Sequence, residues 1–121
     1  MKPVFWIGDS REEIHEFPDD VQKLIGYALH LAQSGDKHPR AKPLQGFQGA
    51  GVLEIVDDYT GNTYRAVYTI SFAEVVYVLH VFQKKSTHGI RTARRDTDVI
   101  ESRLRWARQH YVEWIEQRRT H

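Results

Sequence analysis

Three side chains in two apolar segments are of types that could do chemistry together: Arg65 inside "TYRAVYTISF", and His80 and Lys84 inside "VVYVLHVFQKKS". Both segments are runs of β-branched and aromatic residues, the pattern of strands buried on at least one face. Side chains alternate along a strand, so His80 and Lys84 share a face with Val78 and Phe82, while Arg65 shares its face with Val67 and Thr69. If the two faces coincide, an imidazole, a guanidinium and an ammonium stand together. One of these exchanges a proton near neutral pH, and the guanidinium stays cationic throughout. Each residue also has a structural reading. Arg65 can pair with Glu54 on an adjacent strand, His80 can hold a backbone carbonyl, and Lys84 with Lys85 can blunt a strand end against edge pairing.

Composition limits the alternatives. A chain of 121 residues suits one domain over 1–121 with a single core. There is no cysteine, so neither a disulfide framework nor a thiolate metal site is available, and the seven histidines lack ligand spacing. No metal and no cofactor is therefore expected. No apolar run reaches the length of a membrane span, and the N-terminus turns acidic at "GDSREE", so a cytoplasmic protein with no membrane partner is expected. The net charge of +1 conceals an asymmetry: residues 1–83 carry 7 Lys+Arg against 11 Asp+Glu, residues 84–121 carry 10 against 5. A basic end of this kind serves a polyanion or an acidic protein, or is simply a solvated face.

The elements that must position these groups follow from periodicity. "VFWIG" reads as a first strand. Ser10 and Glu13 have capping-box spacing, which predicts a short helix, and Pro18 suits the first turn of a second. In that second helix Val21, Leu24, Ile25, Ala28, Leu31 and Ala32 form the apolar stripe, and the two helices make a hairpin. Residues 35–51 are rich in proline and glycine and read as a long loop. "VLEIV", "TYRAVYTISF" and "VVYVLHVFQKK" then give an antiparallel meander, with Tyr64 and Tyr68 in its core. Ile100, Leu104, Ala107, Tyr111 and Trp114 mark a C-terminal amphipathic helix whose wider face carries Arg103, Arg105 and Arg108; Trp106 and Trp114 are expected on its packing surface. The fold class is α+β: a helical hairpin on a small twisted antiparallel sheet, with a C-terminal amphipathic helix.

The pair "YRAVYTI" and "VVYVLHVFQKKS", following "AKPLQGFQGAGVLEI", resembles the phage-type branch of the RelE/ParE toxin superfamily, close to HigB toxins. The likeness extends from "VFWIG" to the C-terminal helix. It implies the fold just described, a type II toxin–antitoxin system, and endoribonuclease action on ribosome-bound messenger RNA. Its partners would be a cognate antitoxin, expected as a helix-turn-helix protein, together with messenger RNA and the ribosome. The resemblance assigns Arg65 to the arginine that contacts the scissile phosphate and Lys84 to the basic residue at the end of the last strand. With His80 they form the expected catalytic set.

Metal-independent RNA cleavage by the 2′-OH needs a base, cations for the phosphorane and an acid for the leaving 5′-oxygen, and these residue types suit it. Lys42, Lys85, His88 and Arg91 are candidate RNA contacts, and Arg103, Arg105 and Arg108 candidate antitoxin contacts. Two departures stand out: where related nucleases carry basic residues before "YR" this chain has "VLEIVDD", and "KKSTHGIRT" lacks a tyrosine. The alternative is a ParE-like toxin that binds DNA gyrase without chemistry of its own.

Overall fold

The computed structural model describes residues 1–84 and 92–120. In chain order the elements are β1 (Val4–Trp6), α1 (Ser10–His15), α2 (Asp19–Gln33), β2 (Lys42–Pro43), β3 (Val52–Tyr59), β4 (Asn62–Thr69), β5 (Val76–Lys84) and α3 (Arg94–Arg119). The strands form one sheet in the order β1-β5-β4-β3-β2. The β3–β4–β5 meander is antiparallel as expected, with Arg65 opposite Val56 and Phe82. The sheet as a whole is mixed rather than antiparallel, because β1 pairs with β5 in parallel. A helical crossover rather than a hairpin turn connects β1 to the other strands, and such connections permit parallel neighbours. The 35–51 segment is also less irregular than its composition suggests. Lys42 and Pro43 form a short edge strand on β3, and Ala41, Leu44 and Phe47 are buried.

Each sheet face has its own apolar cluster. On one, Ile14 and Phe17 join Val21, Ile25, Ala28, Leu29 and Ala32 of α2 over Leu53, Ile55, Tyr64, Ala66, Tyr68, Val76, Val78 and Val81. On the other, Ile100, Leu104 and Ala107 of α3 cover Val52, Val67, Tyr77, Leu79 and Phe82. The stripe of α3 is the one its spacing predicts, and Tyr111 and Trp114 extend it half-buried. Trp106 departs from expectation: it is 51% exposed and stacks on His110.

Strict alternation breaks in β5. Val67 faces His80 but Tyr68 faces Val78, so Leu79 is an extra residue in the ladder. Leu79 packs towards α3 while Val78 and Val81 pack beneath α1 and α2. His80 also turns towards α3, where its ring nitrogens find partners. The bulge therefore separates Val78 from His80, which alternation alone places on one face.

The expected capping box is absent. Asp9 is the residue before α1 and makes no side-chain cap, and Ser10 is buried inside the first turn with its hydroxyl unpartnered. The Asp9 carboxylate is instead drawn to Arg103, 3.1 Å away. Among the described residues no helix is long and apolar enough to cross a membrane.

Tyr68 is enclosed, its hydroxyl has no hydrogen-bond partner, and burial pushes its pKa up to about 12. A folded-state pKa above the unfolded value near 10 means that the native protein holds the proton while the unfolded chain releases it. Stability should therefore fall as pH rises from about 10 towards about 12. Tyr68→Phe should raise stability by about 1 kcal/mol at neutral pH and reduce the alkaline loss, both measurable by urea denaturation.

Candidate active site

Register places the candidate residues in rows across the α3-side face. Lys42, Glu54, Val67 and His80 stand opposite one another from β2 to β5; Val56, Arg65 and Phe82 form the next row, and Asp58, Thr63 and Lys84 the third. Directly opposite residues share a face, so Lys42, Arg65, His80 and Lys84 are all on it. Arg65 is the diagonal neighbour of both His80 and Lys84, at about 7 Å between backbones for such pairs. Lys85, His88 and Arg91 lie outside the described residues.

Arg65 is 3% exposed, and its guanidinium donates to Glu54 Oε2 at 3.1 Å. The ion pair of the structural reading is thus formed. It does not exclude Arg65 from chemistry, because Glu54 also lines an open cleft of about 540 Å³ between the 44–46 segment and the start of α3. Gln45, Gly46, Arg94 and Thr97 are among its other walls. Beside it Thr63 Oγ1 donates to Asp58 at 2.8 Å, so one acidic strand residue is held in place by the neighbouring strand.

His80 is half of a polar link between β5 and α3. Its Nε2 lies 2.8 Å from Asp96 Oδ1, and its Nδ1 lies 3.4 Å from Arg103 Nη1. A guanidinium has no acceptor, so Nδ1 carries the lone pair and Nε2–H donates to Asp96. Phe82 stacks on the ring at 4.6 Å. Arg103 also donates to the Leu79 carbonyl at 2.9 Å and to Asp9 at 3.1 Å. Gly8, at φ +61°, makes room for it: a Cβ there would lie 2.4 Å from Arg103 Nη2.

The structure therefore separates the three helix arginines. Arg103 turns inward to the sheet, while Arg105 and Arg108 are exposed and line a second groove. Further along α3, the Tyr77 hydroxyl and His110 Nδ1 share a hydrogen bond of 2.7 Å. Burial, reinforced by Tyr111, pushes the Tyr77 pKa up to about 12, so the hydroxyl stays protonated.

Sequence reasoning missed two of the three carboxylates that organise this region. Glu54 was legible only as a possible ion-pair partner; Asp96 and Asp9 gave no signal, since both meet their partners through tertiary contacts. Among the described residues no group of three or more His, Cys, Asp or Glu side chains is placed to hold a metal ion.

The model of the phage-derived Gp49-like proteins matches residues 12–105, which span α1 to the middle of α3. The chain belongs to the Gp49-like family. Among solved structures it is similar to the isolated RelE toxin of E. coli, with a TM-score of 0.52 and 16% identity over 84% of this chain and 98% of that one. A comparison with curated proteins finds no match. The Gp49-like chain thus carries the RelE fold, and the likeness drawn from the strand motifs holds. The β3 residue that lines its cleft is Glu54, from the acidic "VLEIVDD".

The ion pair should contribute to the stability of this region. Glu54→Ala leaves a buried guanidinium short of countercharge and should cost about 3 kcal/mol, while Glu54→Gln keeps a hydrogen-bond acceptor and should cost less than half of that. Denaturant midpoints at constant m-value check the ordering.

Proposed function

We propose that this protein is the toxin of a type II toxin–antitoxin system and acts as an endoribonuclease on ribosome-bound messenger RNA, without a bound metal. The observation that carries the proposal is the shared face: Arg65, His80 and Lys84 stand on one side of a RelE-like sheet, beside a cleft whose lining includes Glu54. Cations beside a cleft-lining carboxylate have no evident use in a protein that only blocks gyrase.

In this reading the Glu54 carboxylate takes the proton from a 2′-OH, and the freed oxygen attacks the adjacent phosphorus. The bond to the 5′-oxygen breaks, and the Lys84 ammonium supplies that oxygen with a proton. The products are a 2′,3′-cyclic phosphate and a 5′-hydroxyl. Arg65 stabilises the pentavalent centre. Its pairing with Glu54 makes the two events cooperate, since protonation of Glu54 weakens its hold on the guanidinium as negative charge grows on the phosphate. His80, with both ring nitrogens engaged, is assigned to holding the start of α3 against the sheet, so that the cleft keeps its wall. Lys42, at the far end of the same row, is a candidate phosphate contact. A neutralising antitoxin, expected as a helix-turn-helix protein, completes the system.

Expression of the protein alone should arrest bacterial growth, and Glu54→Gln should lower RNA cleavage by about a hundredfold or more, the range for losing a general base. Lys84→Ala should relieve toxicity with an unchanged melting curve. Transcript-end mapping after brief induction, run in parallel with a supercoiling assay on purified gyrase, decides the target. Codon-phased ends with 5′-hydroxyls and normal supercoiling are expected; intact transcripts with blocked supercoiling would overturn the assignment.

A further inference from the structure

A second groove, of about 370 Å³, lies between the 46–50 segment and the outer side of α3, lined among others by Gly46, Gln48, Glu101, Arg105 and Arg108. It shares Gly46 with the Glu54 cleft, so the two adjoin at the tip of the segment and together make a channel-like path beside α3. Along α3 the channel is walled by Arg94, Thr97, Glu101, Arg105 and Arg108, whose steps of three and four keep them on one side of the helix. Arg94 and Arg108 are 14 residues apart in sequence, which at 1.5 Å per residue spans about 21 Å.

Among the described residues Arg94, Arg105 and Arg108 form no ion pair, whereas Arg40, Arg103 and Arg118 each meet a carboxylate. The opposite wall is fixed by its own backbone: Phe47 N–H donates to the Leu44 carbonyl and Ala50 N–H to the Phe47 carbonyl, with Phe47 buried beneath.

We infer that this channel is a binding track for the RNA strand flanking the scissile phosphate, with Arg105 and Arg108 contacting its backbone. The inference rests on the endoribonuclease reading and adds a subsite to it. Uncommitted guanidiniums on one wall, and side-chain amides with backbone on the other, offer what a sugar–phosphate chain needs. Phe47, Ala50 and Leu104 give the groove a small apolar floor, but Gln48, Glu101, Arg105 and Arg108 supply the larger part of its exposed lining, which suits a sugar–phosphate chain better than the apolar face of an amphipathic peptide. Glu101, in the same groove, opposes an anionic occupant and so serves as an internal control.

The test is fluorescence anisotropy with 2′-O-methylated single-stranded RNAs of graded length, which cannot be cleaved because the nucleophile is blocked. Arg105→Ala/Arg108→Ala, exposed positions whose folding a melting curve verifies, should weaken the longer strands about tenfold and leave the shortest unchanged. At about 0.7 per phosphate contact for single strands, the slope of log affinity against log salt should flatten by about 1.4. Glu101→Gln should tighten the longer strands.

Undiminished affinity and slope in the double variant, with the wild type binding RNA, would overturn the track and leave the nuclease reading intact. Binding of a poly-glutamate probe that depends on these arginines, with RNA binding unaffected, would do the same and assign the groove to a protein partner. Absence of RNA binding in wild type and variants alike, together with intact transcripts, would overturn both.

Discussion

One additional residue in β5 sets the arrangement on which the rest depends. At Leu79 the ladder with β4 slips, so two consecutive side chains, Leu79 and His80, turn towards α3. Upstream of this point the strand buries Val76 and Val78 beneath the helical pair. Without the slip, the parity of those two valines would carry His80, Phe82 and Lys84 to the same side, placing an imidazole and an ammonium over an apolar cluster. Burying such groups unpaired costs several kcal/mol. The bulge lets one strand supply a continuous core on one side and a polar working face on the other.

The working face is held together by charge as well as by the apolar cluster beneath α3. Arg103 joins the Leu79 carbonyl at the bulge, His80 and Asp9, and Asp96 holds the other side of the imidazole. The start of α1, the centre of β5 and the first turns of α3 thus meet at one guanidinium. A planar fork with several donors does this where a lysine could not. Since α3 forms one wall of both grooves, the same network sets their width.

Glu54 and Arg65 pose the complementary problem. Their pairing neutralises a buried cation and stabilises the β3–β4 hairpin, yet it also occupies the group best suited to a phosphate. A pair of this kind is stable at rest and responsive to protonation, since a proton on the carboxylate weakens the attraction holding the guanidinium. The acidic character of "VLEIVDD", which looks like a departure from a basic RNA-binding strand, is in this view part of the chemistry.

Period-two and period-3.6 patterns alone determined the meander, the α2 and α3 stripes and the burial of Tyr64 and Tyr68, because each reflects the alternation of a regular backbone, whereas the common face of Arg65 with Lys84 waited on the register between β4 and β5. Other features depended on contacts between residues far apart in the chain. The parallel placement of β1, the short β2 edge, the slip at Leu79, the exposure of Trp106 and the inward turn of Arg103 away from Arg105 and Arg108 belong to this class. Asp9 illustrates the physical reason. Its neighbour Ser10 has capping-box spacing with Glu13, but the helix starts at Ser10 itself: Asp9 takes the position before it, and an arginine 94 residues away takes the Asp9 carboxylate.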